Sequence, residues 1–157
     1  MRAQRSEAGG RMVDIAGKEV TDRRAVARAR VRMSAEAFAA VRDGELPKGD
    51  AIGTARVAGI LAAKRTPELV PLCHPIPVSH VGIEITLELA RREVVIEGTV
   101  RARAATGVEM EALTAVAVAA LVIYDMCKGI DPAAEISQIR VVRKEGGKSG
   151  EWQRKAR

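Results

Sequence analysis

A histidine stands among prolines in the stretch Pro71-Leu72-Cys73-His74-Pro75-Ile76-Pro77. Proline fixes φ and removes a ladder donor, so this segment reads as a rigid loop. A histidine held in one orientation suits acid–base work or hydrogen bonding near neutral pH. A structural histidine in a turn accounts for the same residues equally well. A zinc site from Cys73, His74, His80 and Cys127 is disfavoured, because two ligands would be adjacent and no second close pair exists.

A second group lies on a predicted long helix, Gly107 to Lys128. At about 100° per residue, Gly107, Glu111, Thr114, Val118 and Asp125 share one stripe, and Lys128 follows Asp125 at i+3. A carboxylate and an ammonium at that spacing tune each other's proton affinity, although an ordinary helix salt bridge has the same spacing. Glu111 and Asp125 are fourteen residues apart. At about 1.5 Å per residue, roughly 21 Å separates them along the axis. One reacting centre cannot touch both on a single helix. If both act, the site takes the start of one helix and the end of a neighbouring subunit's helix.

The third group is cationic: Arg23 or Arg24, Lys48, Lys64-Arg65, Lys144 and Lys148. Cations and glycine-flanked amides suit a polyphosphate, while a solvated surface explains most basic residues. Lys48 stands out because Pro47 and Gly49 expose it just before a helix N-terminus, itself an anion site. Gly146-Gly147-Lys148-Ser149-Gly150 imitates the end of a phosphate-binding loop. The glycine needed five residues before Gly147 is Val142, and no helix follows, so that reading is rejected. A cationic flap over phosphates is the functional alternative to a disordered tail.

These groups need elements to position them. Asp22 to Met33 alternates, with Ala25, Ala27, Ala29, Val31 and Met33 on one face and Arg24, Val26, Arg28, Arg30 and Arg32 on the other. Period two means a half-buried strand with a basic side. Ser34 caps a short helix to about Arg42, and Asp50 caps a second over 51–65. Val81 to Leu89 and Val94 to Ala104 form a hairpin, and Ile136 to Lys144 is the last strand. The order predicts an α+β fold, a ferredoxin-like sandwich. In it, helices cover one face of a mostly antiparallel four-stranded sheet, with an inserted helix after the first strand. Residues 1–11 read as a disordered lead, 12–146 as one domain, and 147–157 as a flexible basic tail.

The chain has 157 residues, enough for one domain with its own core. Aromatics are 2%, so the core is built from Ala, Val, Ile, Leu and Met, and assembly into an oligomer would add buried area. The net charge of +6 suits nucleic acid, an anionic membrane or a phosphorylated small molecule. Too few aromatics exist for stacking single-stranded nucleic acid. The arginine strand, Arg24 to Arg32, keeps a nucleic-acid-binding module as the rival reading, with a structural adaptor as a third. Two cysteines without metal-knuckle spacing, no apolar h-region in Met1 to Arg11, and an apolar run, Ala112 to Ile123, too short to span a bilayer predict a cytoplasmic protein. Absence of Asn and a preference for Arg fit a thermophile source, and GC-rich codon bias would also give Arg and Ala.

Met12-Val13-Asp14-Ile15, Lys48-Gly49-Asp50, Ala58 to Thr66, Leu72-Cys73-His74-Pro75, Thr106 to Thr114, Ile123 to Lys128 and Gly147-Lys148-Ser149-Gly150 run in collinear order. Together they resemble the MoaC family. The resemblance implies conversion of 3′,8-cyclo-7,8-dihydroguanosine 5′-triphosphate to cyclic pyranopterin monophosphate, with release of pyrophosphate. It implies hexamers, trimers of dimers with sites at the dimer interface. Such a lyase needs no redox cofactor, and Mg²⁺ can accompany the triphosphate without a dedicated carboxylate cage. On this reading Asp125, Lys128 and Lys48 are catalytic, with Lys128 as leading general acid/base. Cys73, His74, Glu109, Met110, Glu111, Arg23, Lys144 and Lys148 contact substrate. No nucleic acid and no membrane are expected as partners.

Overall fold

The computed structural model describes residues 9–155. Strand β1 (Thr21–Arg32) leads to helices α1 (Ala35–Asp43), α2 (Ala51–Lys64) and the single turn α3 (Thr66–Leu69). Strands β2 (Val78–Glu88) and β3 (Glu93–Ala104) form a hairpin, followed by α4 (Glu109–Cys127), β4 (Glu135–Glu145) and β5 (Trp152–Gln153). The sheet is antiparallel throughout, in the order β2-β3-β1-β4-β5. Its first four strands are the expected ferredoxin-like sheet, and α1 is the inserted helix. The fifth strand departs from the expected four and occupies part of the segment read as a flexible tail. The lead expected over residues 1–11 falls mostly outside the described residues.

The caps read from the sequence are in place. Ser34 Oγ accepts from the Ala37 amide at 3.2 Å, and Gly44 closes α1 at φ 71°. Asp50 Oδ1 accepts from the Gly53 amide at 2.9 Å and starts α2. These bonds satisfy backbone donors that a helix leaves free at its first turn.

Period two on β1 resolves as predicted. Ala25, Ala27, Ala29, Val31 and Met33 are buried on the helix side. Small residues there let α4 lie close, and Ala112, Ala115, Val116, Ala119, Ala120 and Ile123 form its buried face. Helix α4 packs on β1, β3, β4 and α2. By length and composition α4 could cross a membrane, but half of its apolar window is buried inside the protein, which makes it the core helix. Pairing of β1 with β4 shifts register between Arg28 and Arg30, where Gln138 takes φ 53°. An extra residue at that point is a bulge, which bends β4.

Two glycines set how closely these layers meet. A Cβ on Gly59 of α2 would stand 2.9 Å from the Ala115 carbonyl oxygen of α4. One on Gly98 of β3 would stand 2.8 Å from Val116 Cγ1 and 3.3 Å from Ile83 Cδ1. Val116 is fully buried and cannot swing aside. Gly98→Ala is therefore expected to destabilise the fold by about 1–3 kcal/mol, as overpacking does. Denaturant titration measures it, and an unmoved midpoint would show that strand and helix part freely.

Candidate active site

Three polar clusters surround α4. The first is at its C-terminal end, where Asp125 and Lys128 share the last turn. Lys48 reaches them from the loop between α1 and α2. That loop is pinned by buried Leu46 and turned by Gly49, whose amide donates to the Leu46 carbonyl at 2.9 Å. Lys48 Nζ lies 2.6 Å from Asp125 Oδ2, and Lys128 Nζ lies 2.8 Å from Asp125 Oδ1. Each carboxylate oxygen thus receives one ammonium group. All three side chains are about half exposed, with relative areas of 54%, 48% and 51% for Lys48, Asp125 and Lys128. Hydrogen bonds from Lys128 and then Lys48 hold the Asp125 carboxyl down at about 2. The same contact pushes Lys128 above the ordinary lysine range. Lys128 is therefore held firmly protonated in the free chain, rather than partly buried and poised near neutrality.

The second cluster is inside the fold. Glu111, in the first turn of α4, is 1% exposed. Its Oε1 lies 3.8 Å from Cys73 Sγ, and its Oε2 is buried without a hydrogen-bond partner. Burial pushes the Glu111 carboxyl up. Burial and the nearby carboxylate also push the Cys73 thiol up, which favours its protonated form beside Glu111. Next to it, His74 is half-buried, and its carbonyl accepts from the Cys73 thiol at 3.8 Å. Met110 is 38% exposed at the helix start.

The third cluster lines a cavity of about 680 Å³ at the N-terminal end of α4. Its wall includes Lys18, Arg23, Arg24, Glu109, Lys144, Glu145, Gly147 and Lys148. Lys144 Nζ pairs with Glu109 Oε1 at 3.1 Å, and Arg24 with Glu145 at 3.2 Å. Arg23 donates to the carbonyls of Ala104 and Ala105 at 3.2 and 3.3 Å. Lys18 and Lys148 make no side-chain hydrogen bond or ion pair among the described residues, which leaves their charge uncommitted. Lys18 escaped the sequence reading. Its cue is a turn immediately before β1, in which Asp14 Oδ1 accepts from the Ala16 amide at 2.9 Å. Thr106 and Gly107 also line the cavity, so the chain enters α4 along its wall.

The structure thus unites Lys48, Asp125 and Lys128 in one place, Cys73 with Glu111 in a second, and Arg23, Glu109, Lys144 and Lys148 in a third. The stripe expected on α4 divides: Glu111 and Thr114 face the interior, while Asp125 opens to solvent. The rival reading of β1 as a phosphate track loses its charge. Arg28 pairs with Glu97 at 2.7 Å, Arg30 with Glu93 at 2.6 Å and Glu88 at 2.9 Å, and Arg32 with Glu135 at 3.0 Å. With Arg24 on Glu145, every arginine of that face has a carboxylate partner.

Glu111 yields a pH signature. Its folded carboxyl titrates above the ordinary value of 4.5, so the folded state binds its proton more tightly than the unfolded chain does. The sign follows: stability relative to a non-titrating side chain falls as pH rises from that ordinary value through the folded one. Glu111→Gln is expected to stabilise the protein at pH 7 and to differ little from the parent near pH 4. Thermal unfolding across that range measures it, and an offset constant with pH would contradict it.

Comparison with known proteins matches the sequence to a family. The MoaC family model covers residues 12–147. A cyclic pyranopterin monophosphate synthase of Chloroflexus aurantiacus is 58% identical over 144 residues, covering 92% of this chain and 88% of the relative. The protein of the same name in Roseiflexus sp. strain RS-1 is 56% identical, covering 90% of both chains. That of Cereibacter sphaeroides strain ATCC 17029 is 54% identical, covering 92% of this chain and 91% of the relative. Identity this high over nearly the whole domain, together with the family-model match, shows that the chain belongs to the MoaC family.

Proposed function

We propose that this chain is a cyclic pyranopterin monophosphate synthase of molybdenum cofactor biosynthesis. It would be a cytoplasmic lyase converting 3′,8-cyclo-7,8-dihydroguanosine 5′-triphosphate to the cyclic monophosphate and pyrophosphate. The observation that carries the reading is the pair of ammonium groups on Asp125, in a chain 58% identical to a protein of that name. Ring opening, ring rebuilding and cyclic phosphate closure are proton transfers and a phosphoryl displacement. They call for acids, bases and cations, with no electron acceptor.

Magnitudes sort the roles. A carboxyl titrating at about 2 has little affinity for a proton at neutral pH, so Asp125 is a charge partner and orienter rather than the proton-transfer group. Lys128 enters the cycle protonated and acts first as an acid. Docking a substrate over it removes water and lowers its proton affinity, which lets it return as a base. Lys48 is the second acid, held on the other oxygen. Glu111, with Oε2 free, and His74 hold the ring's amino and carbonyl groups, with Cys73 and Met110 beside them. Glu109 orients Lys144. Arg23, Lys144, Lys148 and the newly located Lys18 bind the triphosphate and offset charge on departing pyrophosphate. Cavity carboxylates Glu109 and Glu145 already hold cations. Mg²⁺ would therefore arrive on triphosphate oxygens, without a protein cage.

The acid triad and the phosphate cavity lie at opposite ends of one helix, too far apart for one reacting centre. The reading therefore includes a homodimer in which each site combines one chain's triad with its partner's cavity, three such dimers making a hexamer. Val57, Leu61 and Leu121 are large apolar side chains exposed on α2 and α4, and assembly would cover such surface.

The test is incubation with the cyclised nucleotide triphosphate and mass detection of a product lighter by pyrophosphate. No such product would sink the reading. Lys128→Ala is expected to abolish turnover while nucleotide binding stays within about tenfold, the pattern of a group acting in the transition state. Lys144→Ala is expected to weaken triphosphate binding; unchanged affinity would remove Lys144 from the phosphate site.

A further inference from the structure

The chain beyond Glu145 doubles back. Strand β5 pairs Arg143 with Gln153 and Lys144 with Trp152, so β4 and β5 form a hairpin around residues 146–151. Gly146, Gly147, Lys148 and Ser149 of that loop line the cavity. Gly146 and Gly147 lie at φ 98° and 72°, conformations that favour glycine. A Cβ on Gly146 would collide with the Asp22 carbonyl, and one on Gly147 with the Arg23 guanidinium. The loop is therefore pressed against the arginine at the cavity wall. Its backbone closes a turn from the Gly150 amide to the Gly147 carbonyl at 3.1 Å. Neither Lys148 nor Ser149 has a side-chain hydrogen bond among the described residues, so nothing holds the tip of the loop by its own side chains. Its position comes from the glycines packed on Asp22 and Arg23 and from its two ends.

One end is β4. The other is held by several separate contacts. The Arg154 amide donates to the Val142 carbonyl at 2.8 Å, and Arg154 Nε donates to the Val141 carbonyl at 2.8 Å. The Arg154 guanidinium sits 5.4 Å from the centre of the Trp152 ring, a cation–π distance. Glu151 pairs with Arg143 at 2.9 Å. The lone tryptophan of the chain is 40% exposed, so it adds little to the core. An exposed tryptophan clasped by an arginine, at the root of a loop carrying an unpaired lysine, has a job in holding that loop.

We propose that the arm Glu151–Arg154, with Trp152 and Arg154 as its positioning residues, holds Lys148 over the cavity and so sets the affinity for a polyphosphate it does not itself touch. The inference rests on the cavity being the triphosphate site. Ordering the loop during folding removes that entropic cost from the binding step. The arm lies beyond residues 12–147, which the family model matches.

The probe is inorganic tripolyphosphate, titrated calorimetrically at fixed ionic strength into the full chain. Four proteins are compared: parent, Lys148→Ala, the double variant Trp152→Ala/Arg154→Ala, and the triple variant. Lys148→Ala and the double variant are each expected to bind about tenfold more weakly, the scale of one charge-assisted hydrogen bond. The triple variant is expected to match Lys148→Ala alone, because the arm acts through that lysine. Trp152→Phe keeps a ring under Arg154 and is expected to restore most of the affinity. Amide hydrogen exchange is a second readout. It should quicken at 146–150 in the double variant and stay unchanged in β1 and α4. Additive losses, no loss, or unchanged exchange in the loop would overturn the proposal while leaving the cavity's role intact. A parent protein that binds no tripolyphosphate would overturn both.

Discussion

Helix α4 is a rod nineteen residues long whose sides belong to the core and whose ends carry polar groups. Hydrogen bonding sets its rise per residue, and packing on three strands and α2 prevents it from bending toward a ligand. The candidate site residues gather around this rod. The acid triad is fixed at one end and the cation-lined cavity at the other, and neither can approach the other within one chain. Under the proposed function, a catalytic centre that needs both would have to be built by symmetry, and assembly would be part of the chemistry.

Charge pairing then decides which basic residues are available. The chain carries a net charge of +6, yet Arg24, Arg28, Arg30 and Arg32 of β1 are matched by glutamates of β2, β3 and β4 on the open face of the sheet. The more exposed of these pairs contribute modest stability, and together they take up the charge that a phosphate track along β1 would need. At the cavity, Lys18 and Lys148 line the wall without a side-chain partner among the described residues. Glu111 is the opposite case, a carboxyl buried without a partner for one oxygen. A buried polar atom left unpaired costs stability, and in a protein that keeps one, a ligand is a natural partner.

Much of the architecture could be read before any coordinates. Alternation marked β1, and Ser34 and Asp50 marked helix starts, because a two-residue period and a capping oxygen are local properties. Strand β5 could not be read this way. Two residues carry no period, and Trp152 and Gln153 are a strand only because β4 offers an unpaired edge. Lys18 was missed for a related reason: a lysine in a turn is ordinary until the chain around it proves to wall a cavity.

The amino-acid sequence by itself determined the order of the first four strands and the main helices, the family, and the distance along α4 that keeps its two ends apart, since these follow from local chemistry and helix geometry. Tertiary structure alone decided which groups meet. Lys48 and Asp125 are 77 residues apart in the chain and 2.6 Å apart in space, and Cys73 finds Glu111 across 38 residues. It also decided that Glu111 turns inward and Asp125 outward. A helical period defines a stripe, but only the strands and helices packed around it determine where along that stripe water is excluded.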